Sequence, residues 1–272
     1  MKIKALRSSL LAVFASTALF AGAASAMPIT KTVDISVYQL CDDAGNNCAS
    51  TGPAGNEYFA DSTNKIWAQA GISVTFTFIS QIFSSAFLDL DDVSGDDFDA
   101  LHSAYGTFGP STSSIDMFLI NEFAGAYGVG WSGLGGLVMS MATIMDYDCE
   151  GAAGCTGRID TLAHELGHNF GLVALSDPDS TGAGSGDDGH STPVDQLMNG
   201  GGTRSVPVTL DDINPDGLGL SKLSDFQIEM ARNSSLLRDV PVTGNNVPEP
   251  GSLALMAAGL LAFGASRRRR NS

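Results

Sequence analysis

The segment Thr161-Leu162-Ala163-His164-Glu165-Leu166-Gly167-His168-Asn169-Phe170 constrains this chain more than any other. Read with a 3.6-residue period, Leu162, Leu166 and Phe170 make one apolar stripe, and His164 and His168 stand a turn apart on another face. The apolar stripe has to be buried, so the helix must lie against a core with its polar face left for something else. Packing does not need that polar face. Two imidazoles at i and i+4 can reach a single zinc ion, and Glu165 points beside them, free to act on a metal-bound water.

A hydrolytic zinc site takes three protein ligands and keeps one position open. Outside this helix the chain has only two histidines, His102 and His190. His102 follows the acidic run Asp89 to Asp99 and precedes an apolar strand, and reads as an ordinary surface or half-buried residue. His190 lies in the Gly-, Ser- and Asp-rich loop after the helix, where a returning chain can supply the third ligand.

Charge narrows the partners. Of 14 basic residues in 272, seven sit at the extreme ends, and the stretch between carries seven basic against 30 acidic residues, a net of −23. Such a balance argues against nucleic acid and anionic membrane surfaces. What remains after the ends are removed is long enough to bury one core unaided.

The ends read as addresses. Residues 1–26 have a basic start, an apolar run from Leu10 to Phe20 and the small-residue site Ala24-Ser25-Ala26, the pattern of a secretory signal peptide. Residues 240–251 read as a linker holding Val247-Pro248-Glu249-Pro250. Residues 252–272 contain an apolar run from Leu253 to Ala265 and then Arg267 to Arg270, which would act as a cytoplasmic stop. Four cysteines suit an oxidising compartment, and the local pairings Cys41 with Cys48 and Cys149 with Cys155 need only short loops.

Between the ends, alternation predicts strands at Val33 to Tyr38 and Ile72 to Ile79, and a central strand at Ile115 to Ile120. Helices are predicted at Asn56 to Ala70, with Phe59, Ile66 and Trp67 inward, at Ile159 to Phe170, and at Ser224 to Arg232, with Leu223, Phe226 and Met230 inward. Gly133 to Ile144 reads as an extended strand along an open edge. Asp212 to Gly217 has the start of a calcium loop, but Leu223 at its twelfth position cannot ligate, so calcium is weakly supported there.

Two resemblances add to this. The Pro-Glu-Pro, apolar run and arginine cluster resemble the PEP-CTERM sorting signal, which implies an exosortase-type processing enzyme, transient membrane contact through the tail, and a Gram-negative surface destination. His164-Glu165-x-x-His168-x-x-Gly171 with Gln196-Leu197-Met198-Asn199-Gly200 resembles the metzincin zinc metallopeptidases, with Met198 as the Met-turn. That resemblance implies an α+β, zincin-like fold over residues 27–239: a twisted mixed sheet with an antiparallel edge strand over the active-site helix. It implies zinc on His164, His168 and His190, and a protein or peptide substrate. Glu165 would be the general base, and the strand around Gly135 to Ser140 would pair with the substrate.

The family pattern places the third ligand at the position of Ala174, so an insertion must carry His190 back, and Asp177 is the rival ligand. This departure keeps a second reading open, a non-catalytic matrix or adhesion protein on a degenerate metzincin fold. A gluzincin arrangement is weaker, because Glu229 and Glu249 lie in no suitable downstream motif.

Overall fold

Alternate burial of Val33, Ile35 and Val37 sets the pleat of β1 (Lys31–Cys41), and β2 (Ile72–Phe83) runs parallel beside it. Parallel neighbours need a crossover. It is supplied by α1 (Ala60–Trp67), flanked by short 3-10 turns, with Phe59, Ile66 and Trp67 buried as expected. The computed structural model describes residues 27–90, 96–106, 114–123, 125–131, 135–172 and 190–240. Chain contacts separate Met1–Arg238 from Asp239–Ser272, and the fold below concerns the first unit.

After β2 come α2 (Ser85–Leu88), β3 (Asp89–Leu90), α3 (Asp96–Tyr105), β4 (Ser114–Ile120), β5 (Glu122–Phe123), β6 (Gly128–Gly130) and β7 (Gly136–Ser140). The main sheet has the order β2-β1-β4-β7-β6, parallel except for the antiparallel pair β6 and β7, while β3 and β5 pair separately. β4 is central, and Ile115 and the run Met117 to Ile120 are all fully buried, since both faces are covered. This is the expected mixed sheet with an antiparallel edge strand.

The edge lies elsewhere than the sequence suggested. Gly133 to Ile144 is not one strand: Gly136–Ser140 lies inside the sheet between β4 and β6, and the chain then turns into α4 (Met141–Met145). The antiparallel edge is Gly128–Gly130, three residues too short and too glycine-rich for a period of two to register.

His102 also departs from expectation. It is fully buried, with its ring 4.3 Å from Trp131 and 5.2 Å from Phe118 between centroids, and it occupies the space that a side chain at Gly136 would fill. Burial pushes it down to about 3, so it is a neutral core residue.

The histidine helix, α5 (Thr161–Asn169), packs on β6, β7 and α1. Phe170 meets Trp67 edge to face at 4.8 Å, and the Ser62 hydroxyl donates to the Ile159 carbonyl at 2.6 Å. The last helix, α6 (Asp225–Arg232), is capped by Ser224 and Gln227. Its buried positions are Gln227 and Ala231 with Leu223 ahead of it, whereas Phe226 and Met230 are only half-buried. Both disulfides, Cys41–Cys48 and Cys149–Cys155, are formed. Among the described residues no helix is long and apolar enough to cross a membrane. The signal segment, the apolar tail and Asp177 lie outside the described residues.

Candidate metal centre

The polar face of α5 opens on a cleft of about 1350 Å³. His164, His168 and His190 line it, each offering a ring nitrogen, and these nitrogens lie within 4.8 Å of one another. His164 Nε2 is 3.2 Å from His190 Nε2. Among the described residues this is the one such gathering of ligand-type side chains, and His102 has no part in it.

The two helical imidazoles are oriented from behind. The His164 Nδ1 edge faces the Leu197 carbonyl at 2.7 Å, and that of His168 faces the Leu172 carbonyl at 3.3 Å. A proton on His168 Nδ1 satisfies the Leu172 carbonyl and leaves its Nε2 lone pair for the centre, the arrangement metal-bound histidines favour. Burial holds His164 well below its ordinary value, with help from Arg204 and the other two imidazoles. Burial, then His190, brings His168 down to about 4. Both shifts keep the rings neutral, the form that ligates.

The carbonyl behind His164 belongs to the turn that carries Met198. Met198 is buried, and its sulfur takes the space a side chain at Gly167 would need, so helix and turn touch without an intervening layer. Arg204 ties the same parts together. It donates to the carbonyls of Leu197 and Asn199 at 2.9 and 3.0 Å, contacts His164 Nδ1, and forms a two-pronged pair with the buried Asp160 at 3.0 and 3.3 Å. The Ser221 hydroxyl donates to Asp160 as well, at 3.0 Å.

Glu165 is buried beside the histidines against the edge strand. A Cβ on Gly128 would come within 3.0 Å of its side chain, and one on Gly130 would strike its backbone oxygen. Glycine is needed here because strand and helix are in backbone contact. Burial pushes the Glu165 carboxyl up to about 7, against the opposing pull of Arg204, the Gly130 amide and Arg158. A carboxyl that titrates near neutrality can both take and return a proton at working pH.

Four residues of this site escaped the sequence reading: Arg158, Asp160, Arg204 and Tyr127. Arg158 and Arg204 are two of only seven basic residues between the termini, and that scarcity beside the paired histidines was the available signal. The calcium expectation at 212–217 finds other employment for its carboxylates. Asp212 accepts from the Thr209 amide and hydroxyl, and Asp216 pairs with Lys65 at 2.8 Å.

No curated protein matches the chain in sequence. Similar solved structures include archaemetzincin from Methanopyrus kandleri, 15% identical, covering 75% of this chain and 95% of that one at a TM-score of 0.39. Mature mirolysin of Tannerella forsythia, in complex with a cleaved peptide, is 14% identical over 76% of this chain and 92% of its own, with a TM-score of 0.44. A zinc-dependent peptidase from Methanocorpusculum labreanum is 12% identical over 72% and 99%, with a TM-score of 0.36. A family profile described as the PEP-CTERM protein-sorting motif matches residues 246–270, so this chain carries that sorting motif together with a mixed sheet and a histidine helix.

Proposed function

We propose that the chain is a zinc-dependent endopeptidase of the metzincin type, exported and sorted to the surface of a Gram-negative cell. In this reading residues 1–26 are the export signal, 27–239 the catalytic domain, 240–251 a linker and 252–272 the tail handled by an exosortase-type enzyme. The observation that carries it is the convergence of the His164, His168 and His190 ring nitrogens, within 4.8 Å of one another, beside the buried carboxyl of Glu165.

His164, His168 and His190 would hold the metal. Three nitrogen donors and an open cleft suit zinc, which supplies Lewis acidity towards a peptide carbonyl and makes a water acidic enough to lose its proton near neutrality. Glu165 takes the proton of the attacking water and delivers it to the leaving amine. Leu172 holds His168 in the ligating tautomer through its carbonyl, and Leu197 and Arg204 fix the ring of His164 from its Nδ1 side. Among the described residues β6 pairs only with β7, which leaves its outer edge for an extended peptide to add by main-chain hydrogen bonds. Gly128–Gly130 therefore takes the substrate-pairing role that the sequence reading gave to Gly135 to Ser140.

The test is metal content and turnover measured together. The full chain should hold about one zinc and degrade casein-like substrates in a chelator-sensitive way. Glu165→Gln should keep the zinc and lose hydrolysis by roughly 10²- to 10⁴-fold. Retained turnover in Glu165→Gln, or a chain that binds no metal, refutes the proposal.

A further inference from the structure

Among the basic residues of this acid-rich chain, Arg158 and Arg204 are buried, at 2% and 7% exposure, and both line the histidine cleft. Their surroundings differ. Arg204 is fully engaged by Asp160 and by two carbonyls. Arg158 reaches the same carboxylate only through Nε at 3.8 Å, and neither its Nε nor its Nη2 has a hydrogen-bond acceptor among the described residues. The face of its guanidinium rests on Tyr127, 4.4 Å from the ring centroid. Two guanidinium groups thus line the cleft over the buried Asp160, and only that of Arg204 is hydrogen-bonded to it.

We propose that Arg158 is a carboxylate-binding residue of the cleft, selecting peptides that carry an acidic group next to the bond to be cut; this rests on the peptidase reading above. A guanidinium that served the fold alone would be expected to have its donors satisfied, as buried polar groups are. Two donors without an acceptor call for one, and a planar carboxylate matches the guanidinium fork with two oxygens. Access is provided at Nη1 by Gly201, which lines the cleft: a Cβ there would stand 3.5 Å from that atom, and glycine leaves the approach open. Glu165 is not that acceptor: its carboxyl takes the Gly130 amide and makes no hydrogen bond to Arg158 Nε or Nη2.

The carboxylate can come from an Asp or Glu side chain or from a free C-terminus, and binding assays separate the two. The full chain carrying Glu165→Gln, loaded with zinc, is titrated with peptides that differ only by Glu or Gln at one position, each with a free or an amidated end. The expected result is that one carboxylate-bearing peptide binds about tenfold or more tightly than its neutral counterpart. Which substitution produces the gain identifies the source. Adding Arg158→Gln should erase that preference. Arg158→Lys, which keeps the charge and loses the fork, should reduce it and serves if Arg158→Gln does not fold. Equal binding of all four peptides where Arg158 is present, or no binding at the highest soluble concentration, overturns the proposal. Because no turnover is read, absence of hydrolysis in the unsubstituted chain would sink only the peptidase reading.

Discussion

His164 Nε2 and His190 Nε2 stand 3.2 Å apart although 26 residues separate them in the chain. Two ring nitrogens that close need a proton or a cation between them to be a favourable contact. The helix supplies one ring, held at its Nδ1 side by Leu197 and Arg204, and His190 supplies the other from a separate segment.

If His190 is the third ligand, His190→Ala should weaken zinc binding by about 100-fold or more, while Asp177→Ala should leave it within about threefold. Zinc retained after dialysis against a graded chelator measures both. The opposite ranking would hand the role to Asp177.

Glu165 should be a stability liability in the metal-free protein. Its folded pKa of about 7 lies above the ordinary 4.5, so the folded state keeps a proton that the unfolded chain has lost. Stability therefore falls as pH rises from about 4.5 to about 7, by up to ~1.4 kcal/mol per pH unit, and stays reduced above that. Chelator-treated Glu165→Gln should be the more stable form at pH 8, with the gap closing below pH 5. Urea midpoints at the two pH values decide it, and a gap that does not change with pH counts against the buried carboxyl.

His102 has the opposite sign. Its folded pKa, about 3, lies below the ordinary 6.5, so below that value the unfolded chain takes up a proton that the folded core refuses. The unsubstituted chain should lose stability on acidification faster than His102→Gln, by up to ~1.4 kcal/mol per pH unit between about 6.5 and 3. Both forms are compared without metal, so that the site histidines contribute equally. Parallel stability curves would mean that His102 is solvated after all.

Gly130→Ala should push the edge strand off the helix at Glu165, costing about 1–3 kcal/mol and lowering activity with it. Gly202→Ala, where a Cβ meets nothing within 4 Å, should leave stability within about 0.5 kcal/mol. Thermal melting of the two variants provides the contrast.

The strands at 33–38, 72–79 and 115–120 and the helices at 56–70, 159–170 and 224–232 were legible because each repeats its apolar residues over several turns or pleats. The edge strand was not. Three residues, two of them glycine, hold no period, and their pairing depends on β7 being already in place. The same limit hid the neutral core role of His102, which follows from three aromatic rings contributed by α3, β4 and the loop after β6.

From the order of residues alone came the helix with its paired imidazoles, the carboxyl between them and both short disulfide loops, because these are local: neighbours a turn or a few residues apart meet whatever the rest of the chain does. Tertiary structure decided where His190 arrives, which strand forms the open edge, and that Arg158 and Arg204 line the cleft over the buried Asp160. Each of those depends on segments tens of residues apart packing against one helix, and such contacts leave no repeat in the sequence from which they could be read.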